Sequence, residues 1–390
     1  MLLENAGIPE DHRVVREAKA LMELGCEITI ICPTVGRQPW YESVGGIHVY
    51  RFPNSFSPSG LLGYVWEYGY SLTMFSLLAC WVCLRRGFDV VHVHTPPDLT
   101  ALVAIAFQVI GKRFVFDHHD LSPELYLARR GDETPNFLYR LLRFFERIAC
   151  RRADRLIATN QTQQQVQIAR AGAQPAHCYI VRNGPDEAFL RNTPDPIAFA
   201  LAEKIILGYV GIIGVQDGVD YMVRMVQDLK HRHQRTDFLA VIIGHGPALS
   251  DLKQLSKELD VENLIRFTGR VPFEEVPRHI AGFDICLTPD PSNPYNDSCT
   301  TIKTMEYMAM RKPTVCFRTK ENEVTAGPAA LYADDNDIVQ FTDLVVQLMD
   351  HPEQRSRMGQ LARKRVEESL TWDRQAGQLQ RLYRDLLGLH

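Results

Sequence analysis

A chain of 390 residues, 45% hydrophobic, with a formal charge of −4 at pH 7, is long enough for two cored domains and too acidic for a general nucleic-acid binder. Its nine cysteines (26, 32, 80, 83, 150, 178, 286, 299 and 316) are odd in number and scattered, which fits reduced thiols and not a disulfide frame. Cys80-x-x-Cys83 has no second pair at metal-ligand spacing, and no secretory leader pattern is read.

Met1 to Glu4 reads as the end of a first strand, expected to begin upstream. A loop to His12 leads into an amphipathic helix, Arg13 to Leu24, with Val14, Ala18, Leu21 and Leu24 at helical spacing. Cys26 to Cys32 and Gly46 to Phe52 read as strands. Leu61 to Leu84 is an apolar helical run interrupted by Glu67 and closed by Arg85-Arg86. It is read as a buried domain helix, with contact at a membrane surface left open, and not as a span, because only Met74 to Leu84 is nearly free of polar groups. The strand Asp89 to His94, the helix Leu99 to Ile110 and the strand Lys112 to Asp117 follow, with His118-His119-Asp120 at the last strand's end. A long loop is expected to Thr134. Then come the helix Asn136 to Arg152, the strand Arg155 to Ala158, the helix Gln161 to Ala171 and the strand Cys178 to Val181.

Residues 183 to 202 break this rhythm with Asn183-Gly184-Pro185-Asp186 and Thr193-Pro194-Asp195-Pro196, which is turn and linker chemistry. The alternation then restarts. Strands are read at Lys204 to Val210, Phe238 to Ile243, Leu264 to Phe267, Phe283 to Leu287, Pro313 to Phe317 and Ala330 to Tyr332. Helices lie between them, a loop is expected after Phe317, and three helices close the chain. Alternating strands and helices predict two parallel sheets with helices on both faces. Such sheets bind ligands outside the C-terminal ends of their strands. The candidates there are His119 and Asp120, the glycine turns Gly211 to Gly214 and Gly244 to Gly246, Arg270, and the stretch 296–313. In that stretch Asp297 and Ser298 are N-cap types, with a helix expected from Thr300 to Met310. A helix start suits a phosphate, and Lys303 and Glu306 share one face near it.

These segments together resemble retaining glycosyltransferases of the GT-B fold, family 4, over essentially the whole chain. The resemblance rests on Asp11-x-Arg13-Val14-x-x-Glu17-Ala18, Asp89 to His94, Asp117-His118-His119-Asp120, Asn183-Gly184, Gly244-His245-Gly246-Pro247, Phe267 to Pro272, and Glu306 to Pro313. It implies two Rossmann-like parallel-sheet domains facing across a cleft. An acceptor domain would occupy 1–190, a nucleotide-sugar domain 191–370, and a C-terminal helix, 371–390, would pack back on the first. The implied donor is a nucleotide-diphosphate sugar, UDP-linked, with a hexosyl or N-acetylhexosaminyl group passed to a glycan or lipid-linked acceptor. Polysaccharide or glycoconjugate synthesis is the implied setting, and neither metal nor other cofactor is expected. The implied catalytic residues are His119, Asp297, Lys303 and Glu306. Donor contacts fall to Gly211, Gly214, Gly244, Gly246, Arg270, Asn296, Ser298, Cys299, Thr300 and Thr301, and the acceptor side to Asp11, Arg13 and Asp120.

The chain departs from the family pattern in two places. The family's Glu-x7-Glu ends at Glu306, but its first position is Ser298, with Asp297 as the neighbouring carboxylate. The arginine and lysine that usually clamp the diphosphate fall on Ile212 and Asp217. Lys303, Arg270 and the N–H groups of Cys299 to Ile302 are the expected replacements. A non-catalytic nucleotide-sugar-binding subunit is the alternative, and a GT-B epimerase or phosphorylase a third. The expected location is cytoplasmic. The helix 136–152, with Arg140, Arg143, Arg147, Arg151 and Arg152 among apolar residues, leaves peripheral contact with the inner membrane face open.

Overall fold

The computed structural model describes residues 1–54, 61–131, 134–191, 195–199 and 204–389. Contacts divide the chain into two compact units. The first comprises residues 1–127, 134–182 and 373–390, and the second residues 128–133 and 183–372. Of the stretch read as a linker, 192–194 and 200–203 lie outside the described residues.

Among the described residues the first unit holds seven strands: β1 (Thr29–Pro33), β2 (Tyr41–Val44), β3 (Ile47–Phe52), β4 (Val90–His94), β5 (Arg113–His118), β6 (Arg155–Ala158) and β7 (Cys178–Ile180). They pair in the orders β1-β3-β2 and β4-β5-β6-β7. Leu2 bridges the two groups, pairing parallel with Ile31 and with Val93. Residues 30–33 and 91–94 are buried, as expected of parallel strands covered on both faces. The antiparallel β2 is the exception. Gly45 and Gly46, with φ of 58° and 87°, form its two-residue turn into β3. Reading Gly46 to Phe52 as a lone strand passes over that glycine pair.

Helix His12–Glu23 starts where Asp11 accepts a hydrogen bond from the Val14 N–H at 2.9 Å, and it buries Val14, Ala18 and Leu21. The expected loop before Thr134 contains a helix, Ser122–Arg130, with Pro123 and Glu124 in its first turn. Buried Leu121 and Leu125 anchor it. The helix Trp372–Leu387 covers this unit. Tyr383 Oη lies 2.9 Å from His92 Nδ1, and Gln380 donates to the Ala20 carbonyl at 2.9 Å. Leu379 and Leu382 are fully buried there, each stabilising by roughly 1.5–3 kcal/mol.

The second unit is one six-stranded parallel sheet. Its strands are β8 (Ile205–Val210), β9 (Phe238–Ile243), β10 (Ile265–Gly269), β11 (Ile285–Thr288), β12 (Thr314–Phe317) and β13 (Ala330–Ala333), in the order β10-β9-β8-β11-β12-β13. Met222, Val226, Phe317 and Phe341 fill the layer on one face, and Phe283, Met305 and Tyr307 that on the other. The segment after Phe317, expected as a loop, holds the helix Lys320–Ala326, whose cap Thr319 accepts from the Asn322 N–H at 3.3 Å. Order reverses between β8–β9 and β11–β12, the switch point at which open α/β sheets bind ligands.

Among the described residues no helix is long and apolar enough to cross a membrane. Helix Leu61–Arg85 buries Phe75, Ala79 and Val82 and exposes Trp66, Leu77, Trp81 and Leu84.

Candidate functional site

At the second sheet's switch point the two glycine turns interlock. The Gly211 N–H donates to Ile243 O at 3.0 Å, Ile213 N–H to His245 O at 3.1 Å, and Gly244 N–H to Gly269 O at 2.9 Å. A Cβ on Gly244 would fall 1.8 Å from Gly211 O, and one on Gly246 2.3 Å from Ile213 O. The turn demands these glycines because backbone packs on backbone. Gly214 is buried, and its N–H donates to Asp217 Oδ2 at 3.0 Å.

The stretch after β11 differs from its expectation in one respect. The α-helix runs Ile302–Ala309, with Thr301 as its N-cap residue, so it starts later than the Asp297/Ser298 cap predicts. Asn296–Ser298 form a separate 3₁₀ turn. Four neighbours hold that turn in place. Asn296 Nδ2 donates to Gln216 O at 2.9 Å and Pro291 O at 2.8 Å, and Ser298 Oγ to Tyr295 O at 2.7 Å. Ser292 Oγ donates to Asp297 Oδ1 at 3.0 Å. Loop bonding of this kind competes with helix capping for the same side chains. The N–H groups of the helical first turn therefore belong to Ile302, Lys303 and Thr304. Cys299, Thr300 and Thr301 precede it as half-buried extended chain, and Glu306 is half-buried one turn in.

Lys303 is brought under the first glycine turn, its Cε 3.5 Å from where a Gly211 Cβ would stand. Its ammonium contacts Asp290 at 2.9 and 3.0 Å, Tyr209 Oη at 3.3 Å and Asp217 Oδ1 at 3.5 Å. Burial opposes the lysine's charge, but Asp290, Tyr209 and Asp217 outweigh it and hold its pKa well above the ordinary range. Burial pushes the Asp290 carboxyl up, with Lys303 pulling the other way. The expected free cation is thus shared between two carboxylates. Arg270, just past β10, is exposed and has no partner among the described residues.

In the first unit His119 stands just past the C-terminal end of β5, its side chain 16% exposed. Its Nε2 lies 3.2 Å from each of Arg13 Nε, Asp117 Oδ2 and His94 Nδ1. Gln163 fixes the main chain by donating to His119 O at 3.0 Å. Arg13 is 7% exposed. It also reaches Glu17 Oε1 at 2.9 Å, Asp117 at 3.3 Å and the Val181 carbonyl at 3.2 Å. Burial alone would raise the Asp117 carboxyl, yet His119 and Arg13 hold it well below the usual range. Burial pushes the Glu17 carboxyl well up, with Arg13 pulling the other way. Ligand atoms of Glu17, His94, Asp117 and His119 lie within 4.8 Å of one another, close enough for a cation. The Arg13 guanidinium already supplies a positive charge there.

Asp11, Arg13 and Asp120 are distributed differently from a common acceptor surface. Asp11 caps a helix, Arg13 is buried in the network around His119, and Asp120 is half-buried beside His119. Sequence reasoning quoted Glu17, His94 and Asp117 among the family segments but gave them no role around His119. Glu17 was signalled by its position one helical turn beyond Arg13. It also missed Asp290, for which the sequence offers no comparable signal. A cavity of about 600 Å³, lined by Met1, Thr29, Val90 and Tyr383 among others, opens at the N-terminal ends of β1 and β4, away from the end that carries His119.

The pattern of Glycosyltransferase Family 4 matches residues 12–189, and that of Glycosyl transferases group 1 matches residues 204–351. The chain is 26% identical to the alpha-D-kanosaminyltransferase of Streptomyces kanamyceticus over 190 residues, which spans 48% of this chain and 47% of that protein. It is 24% identical to the 2-deoxystreptamine glucosyltransferase of the same organism over 291 residues, 71% of this chain and 74% of that one. Among solved structures, sucrose-phosphate synthase from Thermosynechococcus elongatus superposes with a TM-score of 0.79 at 17% identity, covering 99% of this chain and 95% of its own. Anabaena HepE in complex with UDP-glucose gives 0.71 at 14%, covering 100% and 98%. At these identities the structures speak for the fold.

Proposed function

Because this chain belongs to the family 4 glycosyltransferases of GT-B fold, we propose that it moves a hexosyl or N-acetylhexosaminyl group from a UDP-linked sugar to a glycan or lipid-linked acceptor, with retention of configuration. Polysaccharide or glycoconjugate synthesis is the setting this reading favours. The observation that carries the reading is Lys303. A buried cation stands beneath the Gly211 turn at the sheet's switch point, three residues before Glu306 on the same helix. The UDP-glucose complex of HepE supports the choice of nucleotide, and the two Streptomyces relatives support sugar transfer.

In this reading Asp297 and Glu306 orient the donor, while His119 contacts the transferred sugar. The acceptor hydroxyl attacks the anomeric carbon from the face the diphosphate leaves, and the leaving diphosphate takes the proton. The protein's task is to stabilise charge on that diphosphate through Lys303, Arg270 and the N–H groups of the helix start, with no metal required. Lys303 must then exchange part of its contact with Asp290 for phosphate oxygens. A thermal-shift screen of nucleotide-diphosphate sugars tests donor binding, and release of nucleoside diphosphate in the presence of acceptor tests transfer. Absence of any donor-dependent shift overturns the reading.

A second reading, a nucleotide-sugar-binding subunit without turnover, is favoured by one observation. Asp217 and Asp290 oppose Lys303, and Ile212 and Asp217 stand at the two positions where the family usually places cations. Donor binding without release of nucleoside diphosphate would select it.

A further inference from the structure

The network around His119 fixes where that ring carries its proton. His94 Nδ1 faces His119 Nε2 at 3.2 Å and Asp117 Oδ2 at 3.5 Å, while His94 Nε2 is buried without a partner. A proton on His94 Nε2 would be a buried N–H with nothing to receive it, so the proton belongs on Nδ1. Arg13 Nε–H can only donate; Glu17 Oε1 stands 2.9 Å from the same nitrogen but receives no hydrogen bond, and the N–H is directed at His119 Nε2 at 3.2 Å. His119 Nε2 therefore meets two donors at the same 3.2 Å that separates it from Asp117 Oδ2. The carboxylate has another donor to accept from, Arg13 Nη2 at 3.3 Å.

We propose that Arg13 is a positioning residue for His119. With His94 it supplies donors to Nε2, and so holds the proton of the neutral ring on Nδ1. That nitrogen has no partner among the described residues, and the ring is 16% exposed at the end of β5. There Nδ1–H is offered as a hydrogen-bond donor to an oxygen of a bound sugar. Arg13 thereby serves the site from beneath, and the acceptor does not touch it. Only the sugar as ligand rests on the glycosyltransferase reading. The location of the proton does not, so the two can fail separately.

The test is ¹⁵N–¹H two-bond correlation on the full chain with ¹⁵N-labelled histidine, at a pH where the rings are neutral, with His119 assigned by the signals lost in His119→Asn. The expected wild-type pattern is a protonated Nδ1 and a lone-pair Nε2. Arg13→Met should move the proton to Nε2, where Asp117 receives it, and Arg13→Lys, which also only donates, should keep it on Nδ1. A wild-type proton on Nε2 overturns the proposal, and no variant is needed to see it. A folded Arg13→Met that keeps the Nδ1–H pattern also overturns it, leaving His94 as the sole cause. If Arg13→Met does not fold, Arg13→Lys decides: retention of the pattern supports the proposal, and a move to Nε2 overturns it.

Discussion

Lys303 and His118 show how differently two buried bases are treated by this fold. Lys303 is neutralised by Asp290 and Asp217. Lys303→Ala should lower turnover by about a hundredfold, the scale for losing one charge-stabilising donor. Asp290→Asn should act oppositely on binding, tightening nucleoside diphosphate by about tenfold as a competing anion is removed. Release of nucleoside diphosphate in the presence of acceptor checks the first and calorimetric titration with nucleoside diphosphate the second; unchanged turnover together with unchanged affinity would remove Lys303 from the site. His118 is fully buried beside Phe116, and both its ring nitrogens lack a partner. Burial, the largest cause, drives its pKa down from 6.5 to about 3. The sign follows from that depression. Below pH 6.5 the unfolded chain takes up a proton that the folded chain refuses, so stability falls as pH falls towards 3, by up to ~1.4 kcal/mol per pH unit. His118→Phe should flatten this slope in denaturant titrations between pH 7 and 5. An unchanged slope would mean that another group carries it.

At the level of elements, the helix Phe137–Arg152 changes meaning once its partners are known. Its one acidic residue, Glu146, is buried and paired with Arg170. Phe137, Arg140, Phe144, Arg147 and Arg151 are exposed, and the remaining surface of this helix carries no carboxylate. That face suits anionic lipid. The full chain should float with phosphatidylserine vesicles at low salt and be released at high salt, and Phe137→Ala/Phe144→Ala should abolish flotation. Equal recovery with neutral vesicles would remove the membrane as a partner. The glycine turns are the opposite kind of element, fixed by close approach. Gly244→Ala meets both φ +142° and the Gly211 carbonyl, and should cost at least about 2 kcal/mol in chemical denaturation. How far the sequence foretold these elements depends on their chemistry. Buried parallel strands such as Phe238–Ile243 announce themselves as apolar runs. The helices Ser122–Arg130 and Lys320–Ala326 do not, because much of their covering surface is polar: Glu124 bonds Arg170, and Glu321 and Asn322 are buried polar residues. The start of Ile302–Ala309 was misplaced because Asp297 and Ser298 bond within their own loop, a choice no local pattern reveals.

At the scale of the whole molecule, the βα alternation made the two-sheet architecture legible, while partners distant in sequence were not. Asp290 is thirteen residues from Lys303, and Asp117 is 104 from Arg13; nothing in either segment alone names the other. The division into units predicts that residues 183–372 fold without the rest. That fragment should give a cooperative thermal transition by circular dichroism, whereas ending the chain at Trp372 should lower the unfolding of the first unit alone. A fragment without a transition would mean that the second unit depends on the first. The chain leaves the first unit after Arg182 and re-enters it at Asp373, and the two crossings touch: a Cβ on Gly184 would lie 2.7 Å from Leu370 O and 3.1 Å from Trp372 N. This geometry sets an order of assembly on the ribosome. The unit begun first is finished after the second, since the helix that covers His92 follows residue 371. Residues 183–372 must be synthesised in between, roughly 10–40 s at 5–20 residues per second. For that interval an open sheet with an uncovered apolar face is attached to the ribosome, and that is when a chaperone has most to protect.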